Sequence, residues 1–199
     1  PSLGVSAHRV IDARGLVVAP GFIDIKTHSD FTLPINPKAE SKLRQGVTTE
    51  IIGHCGFSVA PCLPDKVKLL ADYLNPSAPW LPFREMGFGE YLDRFPATSV
   101  NAGMLVGHNT LRLMAMGMAQ RAPTEAEMAH MLALLQEGLQ AGALGLSSGL
   151  FTTPGAYAQA EEMLQLAQLV EQHQGAYFTH LRDESNGVIA ALQEAIDIA

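Results

Sequence analysis

Residues 124–149 read TEAEMAHMLALLQEGLQAGALGLSSG, a helix followed closely by a strand, and this pair decides the fold. Thr124 and Glu127, three residues apart, form a capping box that opens the helix. Gly142 ends it, because glycine readily adopts the left-handed conformation that closes many helices. Residues 143–146 are almost all apolar, which predicts a strand covered on both faces.

The same alternation of apolar runs and helical segments extends in both directions. Residues 161–173 repeat the helical pattern, and a further helix begins near Gly187. The candidate strands are residues 21–27, 48–53, 103–107, 143–146 and 176–180. This order is typical of an α/β protein with a parallel sheet. A (β/α)8 barrel takes about 250 residues. We therefore expect residues 20–199 to be an incomplete (β/α)8 barrel, about the first five β/α units, that stops inside a helix.

Two segments depart from this alternation. Residues 1–19 contain two extended pieces, 5–13 and 16–18, which we interpret as the tail of a small N-terminal β unit. Residues 61–96 form a proline-rich insertion. Its aromatic residues include Trp80, Phe83, Phe88 and Tyr91. A long loop in a compact domain is usually a functional wall or lid, so these rings are either core or the lining of a substrate pocket.

Composition excludes several classes of protein. The chain has 13 Lys and Arg against 20 Asp and Glu, a formal net charge of −7. This balance argues against a nucleic-acid partner or a basic membrane-surface protein, which need clustered cations. An apolar fraction of 47% predicts a globular chain. Without a long apolar run or a signal-peptide pattern, and with only two cysteines, it is expected to be cytoplasmic.

Polar residues follow the predicted strands, where a parallel β/α fold places its ligand site. They are Lys26, His28 and Asp30 after the first strand, His54 and Cys55 after the second, His108 and Asn109 after the third, Ser147 and Ser148 after the fourth, and His180, Asp183 and Glu184 after the fifth. Cys thiolate and His imidazole are zinc ligands, and a catalytic zinc site keeps one position open for water. Strand ends could contribute one such ligand each.

Several blocks carry a family resemblance. They are DARGLVVAPGFID (12–24), THSD (27–30), QGVTTEIIGHCGFSVAP (45–61), LVGHNTLR (105–112), GALGLSSGLFTTPGAYA (142–158) and THLRDES (179–185). In this order they resemble the N-acyl-D-amino-acid deacylases, or D-aminoacylases, of the amidohydrolase superfamily. The resemblance implies a metal-containing (β/α)8 barrel and a small β-sandwich built from both chain ends. Residues 1–19 would then be the end of its N-terminal part.

The resemblance also implies a set of metal ligands. Cys55 matches the cysteine that holds the tight zinc, and His180 matches its first histidine. The second histidine and the catalytic aspartate are expected beyond residue 199. The family's weaker metal position uses a His-x-His pair, of which His28 is present and Lys26 replaces the other member. An ammonium group is no ligand at neutral pH, so a second metal site is doubtful.

Lys26 admits three interpretations. The chain can simply have lost the weak metal site. The ammonium can stand where the second metal's charge would be and help to polarise a carbonyl group. The lysine can also be carboxylated and bridge two metals, as in some relatives of the superfamily.

Other polar residues have more ordinary interpretations. His54 and His108 are either hydrogen-bond donors to ligands or satisfied strand-end histidines. Asp30 fits an Asx turn or a carboxylate that orients a ligand. Cys62 is expected to be a plain loop thiol. Ser148 lacks the Gly-x-Ser-x-Gly context of a nucleophile.

The sequence therefore predicts zinc-dependent hydrolysis of small N-acyl-D-amino acids in the full-length protein. Two alternatives stay open. The segment can be an inactive structural or metal-binding fragment, since the expected base is missing. It can also belong to an amidohydrolase that acts on cyclic amides, against which the Cys55 block argues. An incomplete barrel leaves strand edges unpaired, so self-association is a further expectation.

Overall fold

Strands and helices alternate along residues 22–198 of a computed structural model that describes residues 6–199. The strands are β1 (Phe22–Asp24), β2 (Val47–Ile52), β3 (Asn101–Met104), β4 (Val106–Gly107), β5 (Gly145–Gly149) and β6 (Ala176–His180). The α-helices are α1 (Glu40–Leu43), α2 (Val67–Leu74), α3 (Phe88–Arg94), α4 (His108–Met116), α5 (Glu125–Ala141), α6 (Ala160–Gln172) and α7 (Val188–Ile198). The chain is therefore mixed α/β, as predicted.

Helix α5 forms as its end signals predict. The Thr124 hydroxyl accepts from the Glu127 amide at 3.3 Å, and the Glu127 carboxylate accepts from the Thr124 amide at 2.7 Å. These bonds satisfy donors that a helix start otherwise leaves unpaired. Gly142 closes the helix with a φ of 112°. The following strand, β5, begins at Gly145, two residues later than predicted. Leu144, just before it, donates its amide to the Met104 carbonyl of β3 at 2.8 Å.

The strands form two parallel sheets, ordered β1–β2–β3 and β4–β5–β6. They meet at Leu105, whose amide donates to the Ile52 carbonyl at 3.0 Å. The predicted strand 103–107 is thus β3 and β4 with one residue between them. Because all pairings are parallel and follow chain order, the carboxyl ends of the strands lie at one edge. The polar residues predicted from the sequence follow at that edge.

One core joins the helices to the sheets. Leu146 of β5, Met131 and Leu135 of α5, and Met163 and Leu166 of α6 are each fully buried in the same apolar cluster. Burying a side chain of this size contributes about 1.5–3 kcal/mol. The cluster therefore fixes the helices against the sheet and, with them, the strand ends that carry the polar residues.

A charged network is buried beside this core. Glu162 of α6 accepts from the His108 Nε2 at 2.7 Å and from Arg112, both on α4. Arg112 also donates to the backbone carbonyls of Ala119 and Arg121, at 3.3 and 2.9 Å. Arg112 and His108 are completely buried. His108 therefore has a structural role at the strand end, but only its Nε2 is paired, because its Nδ1 is buried without a hydrogen-bond partner.

The insertion at residues 61–96 is more regular than expected. It contains α2 and α3, so the prediction of one long loop is wrong: helical stretches lie between its prolines. Cys62 is buried, and its amide and carbonyl pair with Met86 at 2.9 Å each. The expectation of a plain loop thiol is also wrong, because Cys62 packs in the apolar core. Phe88 and Tyr91 belong to that core as well, whereas Trp80 is half exposed.

The first segment carries no strand within residues 6–19. A turn at Arg14 and Gly15 is closed by the Leu16 amide, which donates to Ala13 at 3.0 Å. Residues 1–5, where the first extended piece was predicted to begin, lie outside the described residues. The assignment of this segment to a β-sandwich stays a prediction. Among the described residues, no helix has the length and apolar character needed to cross a membrane.

Candidate metal centre

Cys55 lies in a tight loop that directly follows β2. Its backbone has a φ of 56°, between Gly53 (81°) and Gly56 (78°). Left-handed backbone is uncommon for a residue with a Cβ atom. The Ser147 hydroxyl of β5 donates to the Gly53 carbonyl and accepts from the Gly56 amide, the latter at 3.0 Å. The loop is therefore tied to a strand 91 residues away along the chain.

Lys26 reaches this loop from the end of β1. Its ammonium Nζ lies 3.2 Å from the Cys55 Sγ, close enough to donate a hydrogen bond to the sulfur. The Thr27 amide donates to the Ile51 carbonyl at 3.3 Å, which keeps the segment after β1 beside β2. The structure thus places Lys26 directly against the predicted metal ligand.

His180 ends β6 at the same edge. It is the register partner of Gly149, the last residue of β5. A Cβ atom on Gly149 would lie 2.1 Å from the Cys55 carbonyl oxygen, so the Cys55 loop rests directly on that glycine. Cys55 and His180 are therefore both neighbours of Gly149 at the strand ends. The Phe151 ring stacks on the His180 imidazole with a centroid distance of 5.6 Å.

His28 completes the group of predicted residues. Its ring stacks on Phe31, with centroids 5.8 Å apart, and its Nδ1 is buried without a hydrogen-bond partner. Burial, then the charges of Lys26 and His180, lower the pKa of His28. The His28 imidazole is therefore held neutral, the form in which a ring nitrogen can bind a metal.

His54 is also neutral and buried at this edge. Burial, followed by the charges of Lys26 and His28, lowers its pKa to about 4. Its ring meets Phe178 edge-on at 5.2 Å, and its Nε2 has no partner. His54 is therefore not a fully satisfied histidine.

The donor set fits zinc only in part. A thiol and imidazoles are the ligand types that zinc prefers, and His28 has a buried nitrogen with no partner. Yet within residues 6–199 no three His, Cys, Asp or Glu side chains stand close enough together to hold an ion. The assignment of Cys55, His180 and His28 as metal ligands therefore stays a prediction.

Asp30 differs from its expected role. It is fully buried in the short turn after His28, and neither carboxylate oxygen has a hydrogen-bond partner. Burial raises the pKa of Asp30 to about 8. The expected Asx turn is therefore not formed, since the hydrogen bond that defines it is missing. Its other expected role, as a carboxylate that orients a ligand, stays a prediction.

A cavity of about 270 Å³ opens beside His28. It is lined by His28, Phe31, Thr32, Phe57, Ser77 and Trp80. The Trp80 indole is held in place because its Nε1 donates to the Phe31 carbonyl at 2.6 Å. The insertion at residues 61–96 thus supplies one wall of a cavity that reaches a predicted site residue.

Sequence reasoning missed the side chains that support the site. Ser147 had been noted only as a strand-end residue, and Phe151 and Glu50 not at all. Glu50 is a fully buried carboxylate on β2 that accepts from the Ser29 hydroxyl. The available signal was a polar residue inside an otherwise apolar strand, as in TTEII and LSSG.

Comparisons with known proteins relate the whole arrangement to one group of enzymes. Residues 9–197 match a family model described as "Amidohydrolase family". The chain is 42% identical to the D-aminoacylase of Alcaligenes xylosoxydans xylosoxydans and 44% identical to the N-acyl-D-aspartate deacylase of the same organism. These alignments cover 97% and 98% of the chain but 40% of each relative. The chain thus spans about two fifths of the length of these curated relatives.

Solved structures agree with the sequence matches. A D-aminoacylase crystal structure superposes with a TM-score of 0.85 at 39% identity, covering 98% of this chain and 41% of that one. A second D-aminoacylase structure, also at 0.85, is described as having a binuclear metal center with one-metal activation and second-metal attenuation. The N-acyl-D-glutamate deacylase of Bordetella bronchiseptica, complexed with zinc and a phosphonate inhibitor, superposes at 0.78 with 37% identity, covering 90% of this chain and 37% of that one.

Proposed function

We propose a function from one premise: this chain belongs to the amidohydrolase family. The proposal is that the full-length protein hydrolyses the amide bond of N-acyl-D-amino acids. The resemblance to N-acyl-D-amino-acid deacylases is confirmed by the identities of 42% and 44%. The products would be a carboxylic acid and a free D-amino acid. The observation that carries the proposal is that Cys55 and His180 both neighbour Gly149 at the strand ends.

The residues that would hold the tight metal are Cys55 and His180, joined by a histidine outside this chain. The chemistry that zinc would supply when bound is polarisation of the amide carbonyl group and a lowering of the pKa of a bound water toward about 7. Cys55 presents its sulfur at the strand ends, and Phe151 packs flat on His180 and limits how that ring can turn. His28 lies at the cavity wall, where it would contact metal or substrate.

The remaining side chains would bind the substrate and exclude water. The aromatic cavity beside His28 suits the apolar part of an acylated amino acid, because its lining contains no acidic side chain, lysine or arginine. The base that accepts a proton from water and returns it to the leaving amine is expected to be an aspartate beyond residue 199. Residues 1–199 alone would therefore be inactive.

We infer a single metal site for this chain. The Lys26 ammonium lies 3.2 Å from the Cys55 sulfur and stands where the resemblance expects a histidine ligand of the second ion, so that ion would lack a ligand and meet a like charge. This contact favours the interpretation in which Lys26 takes the place of the second ion. The proposal differs from the binuclear center described for the solved D-aminoacylase.

The proposed function implies an architecture larger than the described chain. The β/α units of residues 20–199 would be the first five of a (β/α)8 barrel, and residues 1–19 the end of a β-sandwich piece. The parallel strands in chain order and the coverage of 41% of the solved D-aminoacylase support this proposal.

The first test replaces each cysteine of the chain by alanine in the full-length protein. Cys55→Ala should abolish zinc binding and deacylase activity, because it removes the sulfur ligand. Cys62→Ala is the matched control: that thiol is equally buried but lies in the apolar core, so zinc content should stay at the wild-type level. Zinc is measured by atomic emission and activity by release of D-amino acid. Retention of zinc and activity in Cys55→Ala would overturn the proposed function.

A second test addresses Lys26. Lys26→His supplies an imidazole in place of the ammonium and should raise the zinc content from about one toward two ions per chain. Lys26→Met removes the charge without adding a ligand and should remain near one. Both are measured at saturating zinc after removal of loose metal. An unchanged stoichiometry in Lys26→His would contradict the idea that Lys26 excludes the second ion.

A further inference from the structure

Ser147 touches the Cys55 loop at both of its ends. Its hydroxyl donates to the Gly53 carbonyl, two residues before Cys55, and accepts from the Gly56 amide, one residue after it, at 3.0 Å. Ser147 is completely buried in the middle of β5. A single hydroxyl group therefore bridges the two ends of the short backbone segment that carries the Cys55 sulfur.

The loop needs this support because of its backbone conformation. Cys55 has a φ of 56°, in a region that residues with a Cβ atom adopt rarely, and it persists where the surroundings over-determine it. Two backbone hydrogen bonds also hold the same loop. The Thr110 amide donates to the Gly56 carbonyl at 3.2 Å, and the Phe57 amide donates to the His54 carbonyl at 2.9 Å. Ser147 adds a side-chain bond on each side of the strained residue.

We propose that Ser147 is a positioning residue for Cys55, which holds the Gly53–Gly56 backbone so that the sulfur is fixed at the strand ends before metal binds. This inference rests on the proposed function, since it assumes that Cys55 is a metal ligand. Groups that orient a ligand contribute strongly to metal affinity, and their loss typically lowers it about 10–100-fold.

The neighbouring serine supplies a matched control. Ser148 is as buried as Ser147, but its hydroxyl bonds to the Tyr177 hydroxyl at 2.7 Å and the Thr179 hydroxyl at 2.8 Å. Successive residues of a strand face opposite sides of a sheet. Mutating Ser148 to alanine therefore removes two buried hydroxyl contacts of a similar kind. The hydrogen bonds of the Cys55 loop stay intact.

The test compares Ser147→Ala and Ser148→Ala in the full-length protein. We expect Ser147→Ala to weaken zinc binding about 10–100-fold, measured by competition with a chelator. The thiolate charge-transfer band of the cobalt-substituted protein should shift or lose intensity in the same variant. Ser148→Ala should change the thermal midpoint while it keeps the wild-type zinc affinity and cobalt spectrum. Ser147→Thr, which retains the hydroxyl, should bind zinc as the wild type does.

Several outcomes would overturn the inference. One is an unaltered zinc affinity and cobalt spectrum in Ser147→Ala. Another is an equal loss of affinity in both alanine variants, which would indicate a general packing effect. If Ser147→Ala does not fold, a folded Ser147→Thr with weakened zinc binding also counts against it. In each case Cys55→Ala tests the proposed function separately. If that variant loses zinc, Cys55 is a ligand even when Ser147 proves unimportant.

Discussion

At the scale of single residues, Glu162 is the charge on which the packing of α6 against α4 depends. Burial alone would raise its pKa, but the hydrogen bond from His108 and the charge of Arg112 hold the pKa of Glu162 below its ordinary value. A lowered carboxyl pKa stabilises the fold above the unfolded pKa, and this stabilisation is lost as the pH falls through the folded value.

Glu162→Gln should therefore be strongly destabilising at pH 7. It leaves Arg112 buried without its counter-charge, a defect that costs about 3–5 kcal/mol. The difference from wild type should shrink as the pH falls through the lowered pKa of Glu162, because the wild-type carboxylate then also becomes protonated. Urea unfolding measures the free energy of unfolding of each variant. Glu161→Gln, at the exposed neighbouring position, is the control and should lie within about 0.5 kcal/mol of wild type. Equal effects of the two substitutions would contradict this role.

The same scale shows which site residues a sequence can reveal. Cys55, His28 and His180 were predicted because each follows a strand and belongs to a recognisable motif. Ser147 was not singled out, because its partners lie 91 and 94 residues away along the chain. The contact of Lys26 with Cys55 was also beyond prediction: it depends on the neighbouring ends of β1 and β2. Residue type and strand position are local properties, whereas a hydrogen-bond partner is set by the fold.

At the scale of elements, local signals decided how well each boundary was predicted. Strand β6 was predicted at its observed bounds, and α5 began and ended at its capping box and Gly142. Strand β1 is shorter than predicted, since it ends at Asp24, and its pairing with β2 shifts register between Phe22 and Ile23. The helices within residues 61–96 were missed because prolines suggested a loop. Their positions are fixed by packing, as when Phe88 of α3 is buried in the shared core.

At the scale of the whole molecule, β1 and β6 stand at the outer edges of the two sheets, and within residues 6–199 neither has a partner on its outer side. Exposed strand edges promote pairing between chains. We expect residues 1–199, produced alone, to self-associate with increasing concentration. Ile23→Lys, on exposed β1, should weaken this association, whereas Val17→Lys, equally apolar but outside any strand, should not. Sedimentation velocity tests this, and a concentration-independent monomer would contradict it.

Trp80 is the one tryptophan in this sequence, and it stands across a cavity from His28. Its indole is half exposed, yet its ring nitrogen is anchored to the Phe31 backbone. Residues 1–199 thus contain one tryptophan that can serve as an optical probe. Filling the cavity displaces solvent from the indole and should shift its emission to shorter wavelength, so that occupancy can be followed by intrinsic fluorescence without a label or a coupled assay.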